Sequence, residues 1–162
     1  MRLYRIADCK FINDLSGMGA ALSGGRWNSK GVFLLYTSQN ISLAQLETLK
    51  RYELSRKEIP NKCLIVLDVP GRSVISIRAS DIGRGWRRDP APQCLQRIGN
   101  IFSLNNTHLL LKVPSALNPT EYNYLINPSH KDFSKIKVID CHPIQIDRRL
   151  ARPAGVPKRK RP

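Results

Sequence analysis

The chain has 162 residues, 41% of them hydrophobic, and a net charge of +15 from 27 basic and 12 acidic side chains. That length and apolar content suit one domain with a single real core and exclude a disordered chain. No apolar run reaches membrane-span length, and "MRLYRIADCKF" lacks the apolar centre of a secretory leader, so a cytoplasmic protein with no membrane association is expected.

In chain order, "LYRIA" is short and alternating and predicts a first strand. "LSGMGAALSGG" is rich in glycine and small residues, which suits a loop or a loosely helical crossing. "GVFLLYTS" has strand length, with Val32, Leu34 and Tyr36 on one face and Phe33, Leu35 and Thr37 on the other. The next helix has the strongest signals. Ser42 as N-cap and Gln45 make a capping box, and Ile41 and Leu46 make a hydrophobic staple. It runs through "LAQLETLKRYELSRK" and stops before Pro60, with Leu43, Leu46 and Leu49 marking its buried side. "CLIVLDV" and "SVISIR" read as strands. Residues 81–107 read as irregular, with one helix near "QCLQRIGNIF". "HLLLKVP" is a strand ended by Pro114, and "IKVIDCHPIQI" is a late strand or a pair broken at Pro143. The mixed order, with strands outnumbering helices, predicts an α+β fold and not a doubly wound parallel one.

The charge predicts attraction to polyanions: nucleic acid, phosphate ligands or an acidic protein. Seven basic residues and no acidic ones lie from Arg148 onward, and without them 20 basic residues still face 12 acidic ones. "RPAGVPKRKRP" reads as a flexible tail, which leaves residues 1–150 as the domain and 151–162 as a basic extension. The four cysteines form no Cys-x-x-Cys pair, so reduced, mostly buried thiols are expected. Cys141 and His142 are adjacent, a spacing that does not suit a metal site, so no metal is expected.

Three charged or aromatic residues in one compact unit invite a chemical reading. Glu47 stands at the edge of the buried stripe, in the second turn of the capped helix. Its bland reading is a surface ion pair with Lys50 or Arg51. Against that, the strand bearing Tyr36 leads into the helix through a few residues, so Tyr36 and Glu47 can face one cleft. Arg26 follows Gly24 and Gly25, which permit close backbone approach and a rigidly held guanidinium fork over a phosphate or carboxylate. Arg5 lies inside a predicted strand and is a second anion-binding candidate. In "VPSALNPTEYNYLINPSH", Ser115 lacks a nucleophile elbow and better suits a hydroxyl that orients a ligand, and Asn123 sits in the turn-rich segment behind it.

"YRI", "SGMGAALSGGRWNSKG", "LLYTS", "SLAQLE", "VPSALNPTEYNYLINP" and "IDRRL", in that order from about Arg2 to Leu150, resemble the successive motifs of the RES-domain toxins. Two departures are local: Met18 stands where an acidic residue is expected, and Ala21 where a basic one is common. The resemblance implies an α+β fold, with a mixed, mostly antiparallel sheet, similar to that of the ADP-ribosyltransferase toxins. It implies a toxin that breaks the nicotinamide–ribose bond of NAD+, passing ADP-ribose to water, phosphate or a protein. NAD+ is then substrate, and no cofactor is expected. The implied partner is a co-encoded Xre-type antitoxin, with operator DNA contacted only through that complex. Carried onto this chain, the site is Glu47, Arg5 and Ser115 for catalysis, with Arg26, Tyr36 and Asn123 for substrate binding. The chemistry of these residues suits NAD+: arginines for phosphates, an aromatic wall for nicotinamide and a carboxylate for a developing ribose cation. A basic nucleic-acid-binding protein or ribonuclease toxin is the rival reading, supported by charge but by no recognised nucleic-acid-binding motif. A catalytically silent interaction module is a third.

Overall fold

The computed structural model describes residues 1–53 and 61–147. One seven-stranded sheet organises them, in the order β4-β5-β6-β2-β1-β3-β7. Strand β1 (Arg2–Asp8) pairs along its whole length with β3 (Lys62–Asp68) and meets β2 (Leu35–Ser38) at Tyr4↔Ser38. Beyond β2 lie β6 (Tyr122–Ile126), β5 (Leu110–Pro114) and the edge strand β4 (Val74–Ser76). Strand β7 (Lys137–Ile144) closes the other edge against β3. Only β4 and β5 pair in parallel, so the α+β, mostly antiparallel architecture is the one expected.

Strand alternation gives the sheet two apolar faces. On one, Leu3, Leu35, Ile65, Leu67, Tyr124 and Ile126 form a cluster. On the other, Leu34, Leu111, Val113 and Leu125 pack with Trp27, Trp86 and two residues of helix α3 (Gln93–Asn105), Leu95 and Phe102. The expected division of residues 32–37 largely holds: Val32, Leu34 and Tyr36 join the second cluster and Leu35 the first. Phe33 departs from it and is exposed.

Strand β2 is shorter than the apolar run that predicts it, because residues 32–34 pack against and bond to the preceding loop instead. The Asn28 side chain donates to the Val32 carbonyl, and Gly17 lies so close to Leu34 that a Cβ there would come within 2.8 Å of its backbone. The glycine-rich stretch before it forms a short helix, α1 (Met18–Ser23). Strand β7 runs through Pro143 unbroken, which an edge strand tolerates because one of its sides needs no ladder donor.

Helix α2 (Ile41–Glu53) starts earlier than the Ser42 capping box implies. Asn40 is the N-cap: its Oδ1 accepts the Leu43 N–H at 2.8 Å. The staple positions shift with it, so Ile41 and Leu46 are exposed, and Leu43, Ala44 and Leu49 form the buried stripe. The expected continuation of this helix towards Pro60 and the basic tail from 151 lie outside the described residues. The expectation of reduced, buried thiols is overturned: Cys9 and Cys63 form a disulfide, Cys94 is exposed and Cys141 half-buried. Cys63 lies opposite Ala7 in the β1–β3 ladder, and Cys9 follows two residues on, donating its N–H to the Asn61 carbonyl. The pairing thus follows from register, which cysteine spacing does not disclose.

Candidate active site

The turn from β2 into α2 aims Glu47 back across the sheet. Ser115 Oγ donates to Glu47 Oε1 at 2.8 Å, and Asn123 Nδ2 donates to the same oxygen at 2.7 Å. Both donors are themselves held. Ser115 is fully buried, and its hydroxyl oxygen accepts the N–H groups of Leu117 and Asn118. Ser38 donates to Asn123 Oδ1 at 2.7 Å, which fixes the amide so that its nitrogen faces Glu47. Asn40 donates to Glu121 Oε1 while it caps α2, and the Glu121 carbonyl accepts the Ser115 N–H. The helix bearing Glu47 and the loop bearing its donors therefore share one polar network.

Among the described residues, the hydrogen bonds to Glu47 fall on Oε1, so Oε2 is the carboxylate oxygen available to a ligand. Lys50, the ion-pair partner of the bland reading, bonds Asp89 at 3.2 Å instead. The Arg51 side chain lies outside the description. Ser115 has its one proton on Glu47 and its oxygen engaged by two N–H groups, the state of a positioning group and not of a nucleophile.

The turn that carries Arg26 meets Tyr36 at a second centre on the same side of the sheet. Tyr36 hydroxyl donates to Asn28 Oδ1 at 2.8 Å and accepts the Trp27 N–H at 3.0 Å. Gly25 sits against that hydroxyl, and a Cβ there would approach it to 2.7 Å. Helix α3 grips the turn from beneath: Gln96 donates to the Gly25 carbonyl, Asn100 bonds Ser29, and Gly99 lies under Trp27. So braced, Arg26 sends its fork to the loop between β4 and α3, with Nη1 on the Trp86 carbonyl at 2.8 Å and both terminal nitrogens on the Arg88 carbonyl at 3.2 Å. That loop is also tied to the Glu47 centre, by Lys50–Asp89 and by Arg87 Nε on the Ala116 carbonyl at 2.8 Å. It is the shared wall of the two centres.

Arg5 is placed differently. In β1 it alternates with Tyr4, which is opposite Ser38, so Arg5 shares the face of Leu3 and Ala7, away from Glu47. Its Nη1 donates to the Asp14 carbonyl at 2.9 Å. Of the six residues predicted from sequence, the structure joins Glu47, Ser115 and Asn123 directly, sets Arg26 and Tyr36 at an adjoining centre, and puts Arg5 across the sheet. Ser38, Asn40 and Asn28 are the residues the sequence reading missed. No group of three or more His, Cys, Asp or Glu among the described residues is arranged to hold a metal. No helix among them is long and apolar enough to cross a membrane.

A carboxylate on the second turn of a helix, supported by a serine and an asparagine from the far end of the chain, beside an arginine-bearing glycine turn, matches the motif order of the RES-domain toxins. The RES domain family model covers residues 2–150, and the chain belongs to that family. It is 37% identical over 134 residues to a protein named Toxin Res from Yersinia enterocolitica, covering 82% of this chain and 88% of the relative. It is 36% identical over 146 residues to a Prs ADP-ribosylating toxin from Sphingobium sp., covering 88% and 89%. In fold it resembles a chain in the crystal structure of the M. tuberculosis MbcT–MbcA toxin–antitoxin complex, with a TM-score of 0.75 at 15% identity, over 88% of this chain and 83% of that one.

Proposed function

We propose that this protein is the toxin of a toxin–antitoxin pair and that it cleaves the nicotinamide–ribose bond of NAD+. The observation that carries the reading is Glu47, fixed through Oε1 by Ser115 and Asn123 with Oε2 available. In NAD+ the bond from ribose C1′ to the pyridinium nitrogen breaks heterolytically. The electron pair goes to nicotinamide, which departs neutral, so no general acid is required. Positive charge develops on the ribose, and a carboxylate that cannot swing away stabilises it without reorganising. Water, phosphate or a protein side chain then bonds C1′ and loses its proton. Tyr36 shapes the nicotinamide side, Ser115 and Asn123 position Glu47, and Arg26 secures the wall on which the dinucleotide rests. Arg5 acts at a distance in this reading, holding the Asp14 loop. Support comes from family membership and from the relative named as an ADP-ribosylating toxin.

The partner is an Xre-type antitoxin that covers the cleft, and operator DNA is contacted through that complex alone. A cytoplasmic location follows from a substrate and a partner that both reside there. The ribonuclease reading gains nothing from the histidines: His108 bonds Thr107, His130 is buried against Asp132, and His142 pairs with Asp140 on the far edge of the sheet.

The test is incubation of purified protein with NAD+, with and without phosphate, and identification of products by mass. Free nicotinamide is expected, and the partner product (ADP-ribose, its 1″-phosphate or a modified protein) names the acceptor. A folded protein that releases no nicotinamide under any of these conditions refutes the reaction.

A further inference from the structure

Both terminal nitrogens of Arg26 are turned to two carbonyls of the β4–α3 loop, which takes from its fork the paired donors that would clamp a pyrophosphate. The cations suited to that task lie on the loop itself. Arg84, Arg87 and Arg88 fall within five residues, and all three are exposed. The nearby carboxylates are committed elsewhere, Asp81 to Arg78 and Asp89 to Lys50, and no carboxylate pairs with the three arginines among the described residues. Arg84 and Arg87 line an open concavity of about 550 Å³ with Ser80 and Trp86. Gly85, at φ +83°, forms part of its floor, and the Arg88 side chain lies across it: a Cβ at Gly85 would come within 3.0 Å of Arg88 Nε.

Three ties hold this surface to the site: Arg26 to Trp86 and Arg88, Arg87 to Ala116 beside Ser115, and Asp89 to Lys50, one turn along α2 from Glu47. Concentrated guanidinium groups without a carboxylate partner, on a tethered loop, are a binding surface for phosphate oxygens, which they engage with paired N–H donors. We propose that the stretch from Arg84 to Arg88 is the subsite for the phosphate-bearing end of the substrate, a nucleoside diphosphate group. Arg84 and Arg88 contact the phosphates, Arg87 keeps the loop against Ala116, and Arg26 is a positioning residue for all three. This rests on the reading of the Glu47 centre as an NAD+ site.

The experiment is isothermal titration of ADP into wild type, Arg84→Gln and the double variant Arg84→Gln/Arg88→Gln, at low and at moderate salt, after thermal melting of each. Wild type is expected to bind ADP with an affinity that falls as salt rises. The double variant is expected to lose about tenfold in affinity and to show a flatter salt dependence. Arg84→Gln alone, a change at an exposed side chain, is expected to move in the same direction, which keeps the test decisive if the double variant melts early. No ADP binding to wild type, affinities within twofold of wild type in both variants, or a loss with an unchanged salt dependence each overturn the subsite. Nicotinamide release from NAD+ by wild type separates the two readings. ADP binding through these arginines without NAD+ cleavage refutes the reaction and leaves the subsite. Cleavage with variant ADP affinity unchanged refutes the subsite alone.

Discussion

Glu47 and Arg26 are both charged, both lie on the same side of the sheet, and they are spent in different ways. Glu47 is held by side chains through one oxygen, and the bonds among the described residues leave the other oxygen out. Arg26 gives both terminal nitrogens to backbone carbonyls. One residue is a carboxylate mounted on a bracket of side chains, and the other is the bracket for a neighbouring loop. Residue type and motif position do not by themselves assign a role. The partners at the charged end do.

The comparison predicts separate failures. Glu47→Gln keeps shape and hydrogen bonds but removes the charge, so single-turnover nicotinamide release is expected to fall on the order of 100- to 1000-fold, with melting unchanged. Wild-type cleavage in a normally melting variant would leave Glu47 a structural residue. Gly99→Ala attacks the other centre. The new Cβ would lie 1.7 Å from the Trp27 carbonyl oxygen, so helix and turn must part, at a cost of about 3 kcal/mol or more. Calorimetry should show the melting temperature lower by roughly 6–12 °C. Arg26→Lys retains charge and loses the fork. It is expected to cost about 1–2 kcal/mol of stability and to weaken ADP binding, whereas a purely electrostatic role for Arg26 predicts that lysine serves as well.

Asn123→Ala leaves Ser115 alone on Oε1, and kcat for NAD+ cleavage is expected to drop about tenfold with KM nearly constant, since the carboxylate is loosened but not removed. The smallest effect is expected on the opposite face. The Ser16 hydroxyl and N–H donate to Asp14, lowering its carboxyl below the ordinary 3.8. A depressed carboxylate adds stability above its ordinary value and loses it as the pH falls through the lowered one. Asp14→Asn should therefore cost under about 1 kcal/mol at neutral pH, and melting curves of variant and wild type should converge in acid.

Some of this arrangement is legible in the residues. The edge position of Glu47 follows from helical spacing, and the division of Leu34, Leu35 and Tyr36 between faces follows from strand alternation. Alternation also puts Arg5 beside Leu3 and Ala7, a consequence the family motif obscures because it ranks Arg5 with the catalytic group. Asn40 is hidden by a stronger-looking signal two residues on, since the Ser42–Gln45 pattern satisfies the capping-box rule while Asn40 makes the bond. The arginine loop carries no periodicity at all. Its meaning lies in which carboxylates are already taken, and only tertiary contacts reveal that.

The sheet order has a consequence for when the Glu47 centre is assembled during synthesis. Glu47 is made early, but its supports at Ser115 and Asn123 come 68 and 76 residues later. Strand β6 must also insert beside β2 before that part of the sheet has its neighbour. Half a nascent chain therefore has the carboxylate without its holder, and the loop wall closes only after the β4–α3–β5 crossover, a non-local step of the kind that forms late. The order of assembly defers completion of the Glu47 centre until nearly the whole chain has left the ribosome.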